Sequence, residues 1–139
     1  MGRILGLDVG DKTIGVAVSD ELRWTAQAVT TLQRTSLKKD LAAIAQFIET
    51  YSAEAIVVGL PKNMDNSLGE QAQKTMQFAK SLETHFHALK IMLWDERLST
   101  SEATRVLINA DLSRKKRKQV VNTLAAVVIL QGYLDAHAS

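Results

Sequence analysis

The segment 4–20, which reads ILGLDVGDKTIGVAVSD, restricts the possible folds more than any other part of the chain. Its two apolar runs predict β-strands at 3–9 and 14–19, joined by a short turn. A third run, 25–32, is rich in threonine and valine and alternates weakly, which predicts a third antiparallel strand. The chain therefore opens with three hairpin-connected strands.

Helices and strands alternate in the remainder of the sequence. The predicted elements are a helix over 37–51, a strand at 55–60, a helix over 72–86, a strand at 89–94, a helix from Ser99 to about Ala110, and a nearly apolar helix over 120–134. Thr35 or Ser36 is the expected N-cap of the first helix. This order predicts an α/β fold with a mixed five-stranded sheet, three antiparallel strands followed by parallel strands, flanked by helices.

Composition excludes several classes of protein. At 139 residues we expect one domain over 1–139. No apolar run approaches the roughly 20 residues of a membrane span, and a strand within the first few residues leaves no room for a signal peptide. The absence of cysteine excludes disulfides, thiolate zinc sites and a cysteine nucleophile. We expect a cytoplasmic protein that does not interact with membranes.

Asp8 is an acidic residue inside an apolar strand, between Leu7 and Val9. Burying an unpaired carboxylate costs several kcal/mol, so we expect a cation or a substrate beside it. Glycines nearby leave space for a phosphate or another backbone to approach. The alternative is that Asp8 caps a turn or pairs with Lys12.

Polar residues also follow the two predicted parallel strands, at the sheet edge where ligands gather in α/β folds. Lys62, Asn63, Asp65 and Asn66 follow the strand at 55–60, and Asp95 and Glu96 close the next strand. Adjacent residues of an extended chain point to opposite faces, so one of the two acids shares a face with Asp8. We favour Glu96, with Asp95 as the alternative, although an acid pair can also simply precede a helix.

Carboxylates at strand ends, without histidine or cysteine, suit a hard cation such as Mg²⁺ or Mn²⁺. Two such ions can activate water for phosphodiester cleavage. Phosphate contacts are expected at the same edge, from Lys12, Lys62, Asn63 and Arg97. A run of five cations is either a solvated face or a further phosphate contact, in a chain of net charge +2; it comprises Arg114, Lys115, Lys116, Arg117 and Lys118.

Four stretches together, 4–20, GLPKNMD (59–65), DERLST (95–100) and AAVVILQGYLD (125–135), closely resemble the YqgF/RuvX family over essentially the whole chain. The resemblance implies an RNase H-like fold related to Holliday-junction resolvases. It implies a metal-dependent endonuclease that matures the 5′ end of pre-16S ribosomal RNA, with the ribosomal small subunit as a further partner. Asp8 would be the first-strand metal ligand and Glu96 the second acid.

The chain departs from this family at Asn122, where a third acid usually stands near the start of the final helix. An asparagine carbonyl can ligate Mg²⁺ but brings no charge, so we expect lower metal affinity and turnover. A natural variant, an engineered knockout and a ligand supplied from elsewhere all remain open. Asn66, where the family often has glycine, is a smaller departure because asparagine tolerates the left-handed conformation.

Two other functions fit the same residues. A resolvase of branched DNA would use the same chemistry but needs two sites, so a homodimer rather than a monomer would favour it. A non-catalytic nucleic-acid-binding or ribosome-assembly factor would keep the fold and the basic run without turnover. The residues leave RNA and DNA both open, and aromatic residues at only 5% favour backbone and shape recognition over base stacking.

Overall fold

The structure of the protein is a computed structural model that describes residues 2–61, 67–96 and 114–137, with side chains described from residue 123 onward in the last segment. Its elements are β1 (Arg3–Val9), β2 (Thr13–Ser19), β3 (Ala26–Gln33), α1 (Leu37–Tyr51), β4 (Ala53–Leu60), α2 (Glu70–His85), β5 (Lys90–Asp95) and α3 (Arg114–Ala136). The helix expected from Ser99 to about Ala110 lies outside the described residues.

The five strands form one sheet in the order β3-β2-β1-β4-β5. The three N-terminal strands pair antiparallel, whereas β4 pairs parallel with β1 and β5 pairs parallel with β4. The mixed sheet predicted from the sequence is therefore confirmed. The N-cap of α1 is Ser36, whose hydroxyl accepts a hydrogen bond from the backbone N–H of Lys39 at 3.2 Å.

The last helix begins at Arg114, so the predicted start at Val120 is wrong. Apolar periodicity locates only the part of a helix that packs on a core, whereas lysine and arginine continue a helix well without packing. The five consecutive cations therefore lie on the first turns of α3. No helix in the described parts of the chain is both long enough and apolar enough to cross a membrane.

Strand alternation places a separate apolar core on each face of the sheet. On one face, Leu5 and Leu7 of β1 pack in a cluster that includes Ile44 of α1 and Leu82 of α2. On the other face, Ile4 packs in a second cluster with residues of α3. Since Asp8 is an even-numbered residue of β1, like Ile4, it belongs to the face that α3 covers.

Helix α3 lies directly against β1 at Gly6. A Cβ atom added at Gly6 would lie 2.7 Å from Leu130 Cβ and 3.2 Å from the carbonyl oxygen of Ala126. Nearer the start of the helix, the Thr123 hydroxyl lies 2.6 Å from the Thr31 hydroxyl of β3. The close contact at Gly6 and the hydrogen bond between Thr31 and Thr123 together fix the distance between α3 and the sheet.

We expect Gly6→Ala to destabilise the protein by about 2 to 3 kcal/mol, because the added methyl group overlaps Leu130 Cβ, whose position is fixed by the helix backbone and does not change with the rotamer. Chemical denaturation monitored by circular dichroism measures the loss. Gly10→Ala is the control, since its Cβ would meet no heavy atom closer than the Thr13 carbonyl oxygen at 3.2 Å. Equal effects of the two substitutions would contradict the close contact at Gly6.

Candidate active site

The carboxyl groups of Asp8 and Glu96 meet on the face of the sheet that α3 covers. Asp8 lies near the end of β1, and Glu96 directly follows β5. Their side chains hydrogen bond to each other across β4, which separates the two strands. The structure thus brings together the two acids that sequence reasoning favoured.

Glycines on the neighbouring strands make this contact possible. Asp8 pairs with Gly15 of β2. On the other side Leu7 pairs with Val58 of β4, so the next residue, Gly59, lies level with Asp8. A Cβ atom at Gly59 would lie 2.8 Å from Glu96 Oε1 and would collide with Ile129 of α3. A side chain at position 59 would therefore compete for the space in which the Glu96 carboxyl reaches Asp8 under the helix.

The two carboxyl groups share a proton as the pH falls below the Glu96 pKa of about 7. Burial raises the pKa of Asp8, and the hydrogen bond from Glu96 partly opposes that rise. Burial also raises the pKa of Glu96 to about 7, with further increases from the Asp8 charge, the Asp8 hydrogen bond and the Asp95 charge. Two carboxylates in contact cannot both ionise without repulsion, so the proton stays on Glu96 and is donated to Asp8.

Asp95, the alternative second acid, is the last residue of β5 and pairs with Leu60. It lies on the opposite side of the strand from Glu96 in the alternation of an extended chain, and it acts on the site through its charge. Lys12 was the alternative partner of Asp8. It is exposed in the turn after β1, whereas the Asp8 side chain hydrogen bonds to Glu96.

Several expected site residues fall in parts of the chain that the structure leaves undescribed. Lys62, Asn63 and Arg97 lie outside the described residues, as do Asp65 and Asn66. For Asn122 and for the cations at 114–118 the structure gives the backbone of α3 alone.

The backbone path of α3 nevertheless shows which part of the helix lies in line with Asp8. Thr123 hydrogen bonds to Thr31 of β3. Thr31 pairs with Gly15, which in turn pairs with Asp8. The backbone of α3 around residue 123 therefore crosses the sheet in the same row as Asp8.

Sequence reasoning missed the side chains that hold the turn after β1. Arg34 Nη1 donates to the Gly10 carbonyl oxygen at 2.8 Å, and Gln71 Nε2 donates to the Val9 carbonyl oxygen at 3.2 Å. Both residues are remote from the turn in sequence and belong to no local motif, so only the tertiary structure reveals them.

The donor set at Asp8 and Glu96 fits a divalent cation. Both groups are hard oxygen donors, and a cation placed between them would relieve the repulsion that raises their pKa values. Among the described residues, no group of three or more histidine, cysteine or acidic side chains is arranged to hold a metal. Any further protein ligands would have to come from side chains beyond that described set.

The fold is shared with nucleases that act on branched DNA. The solved structure of T. thermophilus RuvC in complex with a Holliday junction substrate superposes with a TM-score of 0.62 at 13% identity, over 100% of this chain and 98% of that one. A Fowlpox virus resolvase bound to Holliday junction DNA matches with a TM-score of 0.55 at 13% identity, over 99% of each chain. The protein thus has the RNase H-like fold of these resolvases.

Sequence comparison gives the family. Residues 2–136 match the model of RuvX, described as a Holliday junction resolvase. A relative from Thermoanaerobacter pseudethanolicus is 58% identical over 96% of both chains, and one from Desulforamulus reducens is 53% identical over 98% of both. Both carry the name "Putative pre-16S rRNA nuclease". The chain belongs to the RuvX family, as the resemblance in the sequence predicted.

We expect Glu96→Gln to stabilise the metal-free protein at pH 8. Between the ordinary pKa of 4.5 and the folded value of about 7, the folded state keeps a proton that the unfolded state has lost. The contribution of Glu96 to stability is therefore full below pH 4.5 and lost as pH rises through 7. After allowance for partial solvent screening, the free energy of unfolding should fall by roughly 1 to 2 kcal/mol over this pH range.

Urea denaturation in EDTA at pH 5 and pH 8 tests this expectation. Glu83→Gln, which removes an exposed acid of α2, is the control for a change of charge alone. If wild type and Glu96→Gln show the same pH dependence of unfolding free energy, the shared proton is absent.

Proposed function

We propose that this protein is a metal-dependent endonuclease that cleaves precursor RNA at the 5′ end of 16S ribosomal RNA, with Asp8 and Glu96 as ligands of Mg²⁺ or Mn²⁺. The observation that carries the proposal is the contact of these two acids at the end of β1 and β5. The names of the relatives support the substrate. Such work on ribosomal RNA fits the cytoplasm and transient association with the small subunit.

The chain contributes a partly buried, preorganised pair of oxygen donors. Burial keeps Asp8 and Glu96 from being fully hydrated, so their charges act strongly on anything placed between them. A divalent cation held by these two residues would supply an activated water and would stabilise the charge on the leaving oxygen of the phosphodiester. Binding requires Glu96 to release its proton, so metal affinity should rise as pH passes the Glu96 pKa of about 7.

Cationic side chains around this end of the sheet are proposed to hold the nucleic-acid backbone. Lys12 is exposed in the turn that follows Asp8, so it can reach a phosphate near the site. Lys62, Asn63 and Arg97 follow the same strand ends in the sequence. The run 114–118 lies on the first turns of α3, the helix that crosses above the Asp8 row. Such contacts would give salt-dependent affinity with little sequence preference.

A second candidate is cleavage of four-way DNA junctions, because the matching family model is described as a Holliday junction resolvase. The two carboxylates would do the same chemistry on DNA. Resolution needs two cuts placed symmetrically, so this function requires a two-fold homodimer, whereas cleavage of RNA can be done by a monomer.

We expect the wild-type chain to cleave an RNA that spans the pre-16S 5′ junction in Mg²⁺ or Mn²⁺, and Asp8→Asn and Glu96→Gln to lose about 10²-fold or more in rate, because each removes one oxygen-ligand charge. Gel assays of end-labelled RNA and of a four-way DNA junction, run in parallel, give both rates. Preferential cutting of the DNA junction by a dimer would favour the second candidate.

Glu83→Gln is the control variant, since it removes an exposed acid away from the site. Cleavage that survives Asp8→Asn, or that is unaffected by EDTA, would refute the proposal. Salt-sensitive binding of RNA by all variants without any product would instead identify a binding or assembly factor that retains a nuclease fold.

We further propose that Asn122 limits metal binding. It stands one residue before Thr123, which lies in the Asp8 row, and an amide oxygen brings no charge to a cation. Asn122→Asp should therefore tighten Mn²⁺ binding and raise the cleavage rate, each by about tenfold. Calorimetric titration with Mn²⁺ and single-turnover cleavage measure the two effects.

The control for added charge is Gln119→Asp, which places an acid one turn earlier in the same helix. A cation held by a specific ligand set responds to residue 122 alone, whereas a general electrostatic effect responds to both positions. Unchanged affinity and rate in Asn122→Asp would show that position 122 takes no part in the site.

A further inference from the structure

The backbone that follows Asp8 is held by two side chains from elsewhere in the fold. Gln71 of α2 donates from Nε2 to the carbonyl oxygen of Val9 at 3.2 Å. Arg34, between β3 and α1, donates from Nη1 to the carbonyl oxygen of Gly10 at 2.8 Å. We call these two hydrogen bonds the carbonyl clamp, because they fix the two residues next to Asp8.

Arg34 is itself held in place. Its Nε donates to Asp40 Oδ2 at 3.1 Å, and Asp40 is only 3% exposed. The other oxygen of Asp40 accepts the backbone N–H of Thr35 at 3.2 Å, and the guanidinium lies 5.1 Å from the centre of the Phe78 ring. A planar guanidinium can bind a carboxylate and a carbonyl at once, which the single ammonium of lysine does poorly.

The clamp lies where Asp8 needs support. Asp8 is the second-last residue of β1, so the position of its carboxyl group depends on the backbone that follows it, at Val9 and Gly10. The turn beyond β1 has backbone hydrogen bonds from Gly10 N–H to the Thr13 carbonyl oxygen at 2.8 Å and from Arg34 N–H to the Lys12 carbonyl oxygen at 2.9 Å. The clamp adds side-chain contacts at the Val9 and Gly10 carbonyl oxygens, the two that directly follow Asp8. Ligand groups displaced by about 1 Å lose much of their function, so anchoring this backbone matters for the site.

We propose that Arg34 and Gln71 are positioning residues that hold Asp8 in the geometry required for divalent cation binding. The inference deepens the proposed function and rests on it. Neither side chain touches the Asp8 carboxyl in the described contacts; both act through the backbone carbonyls of Val9 and Gly10.

Arg34→Lys and Gln71→Met test the proposal. We expect each to weaken Mn²⁺ binding by about tenfold, as loss of groups that orient metal ligands does. The KM for RNA should stay unchanged, and saturating Mn²⁺ should restore most of the cleavage rate. Calorimetry measures the affinity, and Mn²⁺ titrations of single-turnover cleavage measure the recovery.

Arg23→Lys is a matched control at the opposite end of the sheet. Arg23 makes the same kind of contacts, from Nε to the Gly2 carbonyl oxygen at 2.9 Å and from Nη2 to Glu54 Oε2 at 3.0 Å. It should lower the melting temperature less than Arg34→Lys, because Glu54 is exposed whereas Asp40 is buried, and it should leave Mn²⁺ affinity unchanged. The comparison separates loss of an ion pair from loss of positioning.

Three results would overturn the clamp. Lower melting temperatures with wild-type Mn²⁺ affinity in both variants would make it merely structural. A raised KM for RNA with unchanged Mn²⁺ affinity would make Arg34 a substrate contact. If Arg34→Lys fails to fold, the test rests on Gln71→Met. Mn²⁺ affinity equal to that of the wild type in Gln71→Met would then reject the clamp. Asp8→Asn distinguishes the two proposals: should it also bind Mn²⁺ normally, the proposed metal site fails with the clamp.

Discussion

The close approach of helix α3 to the sheet is the constraint on which the rest of the structure depends. Gly6 lets Leu130 and the Ala126 carbonyl lie almost against the β1 backbone, and Gly59 does the same for Ile129. A side chain at position 6 would push the helix away from the sheet. One at position 59 would occupy space that is filled by Ile129 and by the Glu96 carboxyl group.

This packing explains the electrostatics of the site. Most proteins avoid placing two carboxyl groups in contact away from water, because burial and repulsion both oppose ionisation. Here burial is the largest cause of the raised pKa at Asp8 and at Glu96. The stabilisation supplied by the two apolar cores offsets the unfavourable site, and a cation bound as proposed would relieve the repulsion between the two carboxyl groups.

The face of the sheet that α3 covers links the candidate site to the edge strand. The row that runs from Thr31 through Gly15 to Asp8 joins the edge strand to the site, and Thr123 brings α3 onto it. The opposite face carries α1 and α2, from which the clamp side chain Gln71 extends to the end of β1. One site thus depends on helices from both faces.

The sequence by itself determined the order of the described strands and helices and the mixed sheet, and it favoured Glu96 over Asp95 as the acid that shares a face with Asp8. Alternation along a strand and helical spacing of apolar residues are local properties that residue order encodes directly. It misplaced the start of α3, because apolar periodicity marks only the part of a helix that packs on a core, and the sequence from Arg114 to Lys118 has no apolar residue. Only the tertiary structure decided that Gly59 admits Glu96, and that Arg34 and Gln71 hold the turn after Asp8. Those contacts join residues far apart in the chain, whose distances depend on how the helices settle on the sheet.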